Sequence, residues 1–180
     1  METEIDVLMN RLSPHLSCID EILRYGDNAY SEHYSIEAKL DHDVSTQAQC
    51  THRHILAEAH RKLDDLPLIN CLTTSSMDLW FFEELNIILR FKKTDKYGRS
   101  SNYQTNWQRS YDRGEELPGL PQKPTRLTAG YVLDDFGTNY VRSQIVLPSI
   151  KKGAIWCAAI NPQEDGAWED VSSNYNLRFG

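Results

Sequence analysis

Basic and aromatic side chains are concentrated between Arg90 and Arg113, a stretch that we call the basic segment. It contains seven lysines and arginines, two acidic residues, three tyrosines and one tryptophan. Cations neutralise phosphates and aromatic rings stack on bases, so this composition is typical of a surface that binds RNA or single-stranded DNA. The side chains expected to form that surface are Arg90, Lys92, Lys93, Lys96, Tyr97, Arg99, Tyr103, Trp107, Arg109, Tyr111 and Arg113.

A solvated loop is the other interpretation of the basic segment, and it requires no partner. Turn-forming residues interrupt the segment and favour a loop whose aromatic rings pack into the protein's own core. The isoelectric point of about 5.3 is also far below that of a dedicated nucleic-acid-binding domain. The turn formers are Gly98, Ser100, Ser101, Asn102 and Asn106.

Histidines between residues 50 and 60 raise the question of a metal site. On a helix Cys50 and His54 lie one turn apart and share a face, whereas His52 lies on the opposite side. Zinc sites use three or four protein ligands, so this pair is incomplete and we expect no metal and no other cofactor. Further ligands would have to come from elsewhere in the chain, for example His33, His42 or Cys71.

An enzymatic alternative uses the same helix. His54 as a general base, with Glu58 or Arg61 beside it, would suit a metal-independent ribonuclease or phosphodiesterase. The sequence contains no nucleophile elbow, phosphate loop or dinucleotide-binding fingerprint. A protein without catalytic activity is therefore the favoured expectation.

Charge is distributed unevenly along the 180 residues, whose formal net charge is −7. Residues 1–85 carry sixteen acidic and six basic residues, whereas residues 86–126 carry nine basic and four acidic ones. Such asymmetry is typical of a protein with a charged partner, but it also suits two parts of one molecule that dock on each other.

Cysteine usage and hydropathy predict the subcellular location of the protein. Four scattered cysteines without a C-x-x-C pair suit reduced thiols in the cytoplasm. The first residues lack the basic start and apolar stretch of a secretory signal. The longest apolar run, residues 154–160, is far shorter than the roughly 20 residues that cross a bilayer, so no membrane association is expected.

The first predicted element is an amphipathic helix over residues 4–25. Its apolar residues recur every three or four positions and form one stripe, close enough to a heptad repeat to allow a homodimer through this helix. Ser13-Pro14 predicts a kink or a new helix start, and Gly26 predicts the helix end. The stripe consists of Ile5, Leu8, Leu12, Leu16, Ile19 and Leu23.

Two further helices are predicted before the pattern changes to β. Thr46 and Gln49 form a possible capping box for a helix that ends near Leu63, and residues 77–85 read as a short buried helix. Residues 28–43 fit both periods and are left unassigned. Four strands follow, at residues 87–92, 127–133, 140–147 and 154–160.

These elements predict an α+β fold in which N-terminal helices pack on a C-terminal four-stranded antiparallel meander. The chain divides into a mainly helical half, residues 1–85, and a β half with the basic segment, residues 86–180, expected to form one compact domain. The leading functional hypothesis is a non-enzymatic cytoplasmic interaction or regulatory protein of accessory, toxin–antitoxin-like or inhibitor type. Its expected partner is a protein, with RNA or single-stranded DNA as the alternative.

Overall fold

A computed structural model describes residues 2–74, 77–100 and 105–172. The protein is α+β, with its long helices before a seven-stranded sheet. The helices are α1 Glu4–His33, α2 Ile36–Asp41, α3 Val44–Leu63 and α4 Asn106–Asp112, and a 3-10 helix covers Glu83–Leu85. The strands are β1 Ile69–Thr73, β2 Asp78–Phe82, β3 Ile87–Lys93, β4 Thr125–Leu133, β5 Tyr140–Ser149, β6 Gly153–Ile160 and β7 Trp168–Asp170.

The sheet is mixed, so the prediction of a four-stranded antiparallel meander is wrong in strand number and in direction. The strands lie side by side in chain order, and all neighbours are antiparallel except β3 and β4. Parallel neighbours need a long crossover connection. Residues 94–124, which include α4, form this crossover connection. The sequence pattern of this stretch predicts only a loop. The four strands that were predicted are confirmed as β3, β4, β5 and β6.

The predicted helix at residues 77–85 is wrong, because this stretch forms β2 and the 3-10 helix. Trp80 and Phe82 face the main core, while Leu79 and Phe81 face a smaller one. A strand covered on both faces is apolar at every position, and periodicity cannot distinguish it from a buried helix. The sheet therefore begins at Ile69, within the predicted helical half.

Helix α1 does not end at Gly26, and Pro14 lies inside it. A Cβ atom on Gly26 would lie 2.2 Å from Ile55 Cγ1 and 3.0 Å from the Thr51 carbonyl oxygen. The glycine therefore allows α1 and α3 to approach closely rather than terminating the helix. At its other end a capping box of Thr3 and Asp6 satisfies the first backbone amides.

The unassigned residues 28–43 form the end of α1 and the short α2. The predicted capping box at Thr46 is wrong, because the N-cap of α3 is Asp43, whose Oδ1 accepts a hydrogen bond from the Thr46 amide at 2.7 Å. Aspartate and threonine are both preferred N-cap residues, because the side-chain oxygen of each accepts a hydrogen bond from a backbone amide of the first turn.

The main core lies between the sheet and the two long helices. All six residues of the predicted α1 stripe are buried there. Because the stripe is buried within the molecule, it is not exposed to form the homodimer interface that the sequence allowed. A buried hydrogen bond from Ser143 of β5 to Asp20 ties α1 to the sheet, and Arg24 pairs with the same carboxylate at 2.8 Å.

The opposite face of the sheet is covered by α4. Tyr111 packs there against Leu79 and Ile88, with Trp107 and Leu117 at the margin. The basic segment thus begins on β3 and ends on a helix that crosses the sheet. The position of α4 is set by its packing in this second, smaller core.

Candidate functional site

Arg90 and Tyr111 lie in the core rather than on an exposed surface. The Arg90 side chain is 3% exposed, and its Nη2 lies 2.6 Å from Asp112 Oδ1, whose side chain is 4% exposed. Its Nε donates to Thr128 Oγ1 at 2.9 Å, and the guanidinium lies 4.6 Å from the Tyr111 ring centroid. Neither side chain is available to a partner in this structure.

Arg126, which the sequence analysis did not single out, holds the end of α4. Its guanidinium donates to the carbonyl oxygens of Ser110, Tyr111 and Glu115. It also lies 5.4 Å from the Tyr111 ring centroid. A cation at a helix C-terminus satisfies carbonyls that have no partner within the helix. No local sequence signal distinguishes this role from that of an ordinary surface arginine.

The other residues of the basic segment lie closer to solvent. Lys96, Arg99, Arg109 and Arg113 are exposed, whereas Lys92, Lys93, Tyr97 and Trp107 are partly buried. Tyr103 lies outside the described residues. Arg113 forms a surface pair with Glu115, with a separation of 3.3 Å. The structure therefore divides the predicted binding residues into an inner and an outer set.

Cationic side chains from both sets, with two lysines from elsewhere in the chain, line a cleft of about 420 Å³, which we call the cationic cleft. Asp112 is the one acidic side chain among the described residues that line it, and it is paired with Arg90. Hydroxyl groups, two glycines, Pro148 and Ile150 form the rest of the described lining, and hydroxyl groups donate hydrogen bonds to phosphate oxygens. The cations that line the cleft are Arg90, Arg99, Arg109, Lys151 and Lys152.

Lys151 and Lys152 reach this cleft from the turn between β5 and β6. They follow the basic segment by about 40 residues in the chain, so no local sequence pattern connects them with it. The antiparallel pairing of β5 and β6 brings the turn to the same side of the sheet as Arg109.

The loop that carries Arg99 is fixed by its backbone. Asp95 Oδ1 accepts hydrogen bonds from the amides of Tyr97 and Arg99, both at 2.9 Å. Gly98 has a φ of +81°, and a Cβ atom there would lie 2.5 Å from Cys157 Sγ. This close approach places the loop directly against the sheet, so one wall of the cationic cleft is preformed.

A second cavity of about 430 Å³ lies between α3 and the start of β2 and is lined by His52, Arg53, Asp78 and Lys92, among others. Burial lowers the pKa of His52 to about 4, and Lys92 and Arg53 act in the same direction. Burial, with Arg90, lowers the pKa of Lys92 to about 8. Both groups are thus held towards their neutral forms.

The depressed pKa of His52 predicts a loss of stability in mild acid. Unfolded chains protonate this imidazole near pH 6.5, whereas the folded protein does so only near the lowered pKa, so stability falls as the pH falls through that window and then levels off. Between about pH 7 and pH 5 the loss from this residue is about 2 kcal/mol. Urea unfolding of wild type and His52→Gln at both pH values measures it. An equal acid loss in both proteins would contradict the prediction.

The predicted catalytic residues His54, Glu58 and Arg61 do not converge. Arg61 Nη2 pairs with Glu58 Oε2 at 2.5 Å, and its guanidinium lies 4.7 Å from the Tyr25 ring centroid. His54 packs instead against His33, with ring centroids 5.2 Å apart. Its Nε2 is buried without a hydrogen-bond partner among the described residues.

The candidate metal ligands Cys50 and His54 both lie near Tyr34. A hydrogen bond to Cys50 raises the pKa of Tyr34, and the rings of Tyr34 and His54 are 6.0 Å apart. In the described part of the chain, three metal-ligating side chains converge elsewhere, at His60, Cys71 and Asp78. Of these three residues, the sequence pattern indicated only Cys71 as a potential ligand.

None of the helices in the described ranges combines the length and apolar character needed to cross a bilayer. No family model, curated protein or solved structure matches this chain.

Proposed function

We propose that this chain is a non-enzymatic cytoplasmic regulatory or accessory protein that binds RNA or single-stranded DNA in the cationic cleft. The observation that carries the proposal is the convergence of four exposed cations, Arg99, Arg109, Lys151 and Lys152, on one cleft of a protein whose net charge is −7. The positive cleft attracts phosphates, whereas the acidic remainder of the protein surface repels them. Together these two effects orient the bound strand.

The exposed cations of the cationic cleft come from separate parts of the chain. Arg99, Arg109 and the two lysines of the β5–β6 turn approach the same cleft from three segments of the chain. Trp107 is on the same short helix as Arg109, but residues two apart on a helix do not share a face, and the Trp107 ring packs at the margin of the smaller core.

One observation supports binding without catalysis. His54 has no hydrogen bond to Glu58 or Arg61, which pair with each other. A general base needs a partner that orients it towards the proton that it removes. The four free cysteines also suit the proposed reducing cytoplasm.

The double variant Lys151→Ala/Lys152→Ala tests the proposal. We expect it to bind a fluorescein-labelled mixed-sequence single-stranded oligonucleotide about tenfold or more weakly than wild type at low salt, because two phosphate contacts are lost. Both lysines are exposed in a turn, so the fold is expected to remain intact. Fluorescence anisotropy gives the affinities.

A matched control removes two cations outside the cleft. Lys39→Ala/Lys62→Ala has the same net charge as the cleft variant, but its residues lie on α2 and α3. We expect less than a threefold change for this control. Equal losses in the two double variants, or no binding by the wild type at low salt, would overturn the proposal.

A further inference from the structure

We propose that His60, Cys71 and Asp78 form a site for one divalent transition-metal ion, with Zn²⁺ as the best match. A nitrogen, a sulfur and an oxygen donor from these side chains all lie within 4.8 Å of one another. His60 belongs to the last turn of α3, and the other two lie on the β1–β2 hairpin. The site is separate from the cationic cleft.

The spacing of the donors is close to that of a tetrahedral site. His60 Nε2 lies 3.6 Å from Asp78 Oδ2. Zinc bonds of about 2.0 Å to nitrogen or oxygen and 2.3 Å to sulfur place neighbouring ligand atoms about 3.3–3.7 Å apart. The upper limit of 4.8 Å on the donor separations exceeds this range by about 1 Å.

Strand register places Cys71 and Asp78 on one face. Cys71 pairs with Trp80, and Thr73 pairs with Asp78, so the two candidate ligands are diagonal neighbours on the side of the hairpin that faces α3. Both of their strands are hydrogen-bonded within the sheet, and a site built on such elements keeps its geometry without a ligand.

A second shell orients the histidine. His60 Nδ1 lies 2.8 Å from Asp64 Oδ2, and Asp64 Oδ1 accepts a hydrogen bond from Trp80 Nε1 at 3.0 Å. Metal-binding histidines in proteins commonly donate their other ring nitrogen to a carboxylate that is itself held in place. This chain leaves Nε2 of His60 directed towards Asp78 and fixes Nδ1 as a donor to Asp64.

The donor set favours zinc over the alkaline-earth ions. A thiolate and an imidazole suit Zn²⁺, whereas Mg²⁺ and Ca²⁺ prefer oxygen ligands alone. The His60 and Asp78 side chains are 39% and 22% exposed, so solvent reaches the site. Three protein ligands leave the fourth position to water.

Two carboxylates lie at the candidate site, because Asp64 is hydrogen-bonded to His60 Nδ1 and Asp78 is itself a candidate ligand. A bound dication compensates both carboxylates, and its binding releases the thiol proton and any proton on His60 Nε2.

Titration of the metal-free full chain with Co²⁺ tests the site. We expect one equivalent to bind and to produce thiolate-to-cobalt charge-transfer absorption, which Zn²⁺ then displaces. Cys71→Ser is expected to abolish this absorption and to weaken Zn²⁺ binding about 100-fold or more, and Asp64→Asn to weaken it about 10- to 100-fold. Asp78→Asn provides a second ligand variant, and circular dichroism of each variant confirms that it is folded.

Cys50→Ser is the matched control, because Cys50 is also a partly buried free cysteine and lies one helical turn from His54. This variant is expected to bind Co²⁺ as wild type does. The proposal is overturned if wild type binds no stoichiometric Co²⁺, if Cys71→Ser retains the charge-transfer absorption, or if only Cys50→Ser loses it.

Discussion

Replacing Asp112 with alanine is expected to lower the free energy of unfolding by about 3–5 kcal/mol. The substitution leaves the Arg90 guanidinium in the core without its carboxylate, which lies 2.6 Å away in the folded protein. A buried charge without a partner is among the most destabilising features a single substitution creates. Urea unfolding followed by circular dichroism measures the loss.

Two further variants separate the buried charge from the loss of packing. Arg90→Met/Asp112→Leu removes both charges and is expected to recover most of the stability, because an apolar pair of similar volume replaces the ion pair. Glu115→Ala removes one partner of the exposed pair with Arg113 and is expected to cost no more than about 1 kcal/mol. A loss below about 1 kcal/mol for Asp112→Ala would contradict the burial of this pair.

Replacing Tyr111 with alanine is expected to cost a similar amount, about 3–5 kcal/mol. The ring is fully buried between the sheet and α4, with the Arg90 and Arg126 guanidinium groups 4.6 Å and 5.4 Å from its centroid. Its removal leaves a cavity in the small core that docks α4 and takes away both cation–π contacts. Unfolding in urea gives the magnitude.

Tyr111→Phe distinguishes the hydroxyl from the ring. The hydroxyl donates to the carbonyl oxygens of Ile88 and Leu127, both at 3.2 Å, and its loss is expected to cost about 1 kcal/mol. Trp107→Ala is the positional control, since that ring is only partly buried at the margin of the same core. If Trp107→Ala destabilises as much as Tyr111→Ala, the small core is not centred on Tyr111.

Helical periodicity predicted α1 well because its burial is one-sided. A helix that lies on a sheet buries one stripe, and Leu12 and Leu16 show this pattern in the sequence itself. The same reasoning failed at β2, where neighbouring residues such as Leu79 and Trp80 are both buried. Two-sided burial removes the alternation that identifies a strand.

The role of the basic segment could be predicted only in part. Its composition predicted cations near one another, and Arg99 and Arg109 do share a cleft. Composition does not reveal which arginine points inwards, however, because Arg90 becomes buried only when α4 crosses the face of β3. Lys152 joins the cleft through strand pairing, which has no local signal in the sequence.

The candidate metal site shows the same limit. Cys71 could be recognised as a potential ligand from the sequence, but His60 was not selected and Asp78 lies in a stretch for which a helix was predicted. The register of the β1–β2 hairpin brings it beside Cys71, and a register cannot be read from residue types when the strands themselves are not recognised.

The slope of the logarithm of the association constant for a single-stranded oligonucleotide against log salt concentration tests the central claim most directly. Three to four phosphate contacts in the cationic cleft predict a slope of about −2 to −3 for wild type, and each removal of Arg109, Lys151 or Lys152 is expected to reduce its magnitude by about one. A slope near zero, or one that these substitutions leave unchanged, would show that the cleft does not hold the strand.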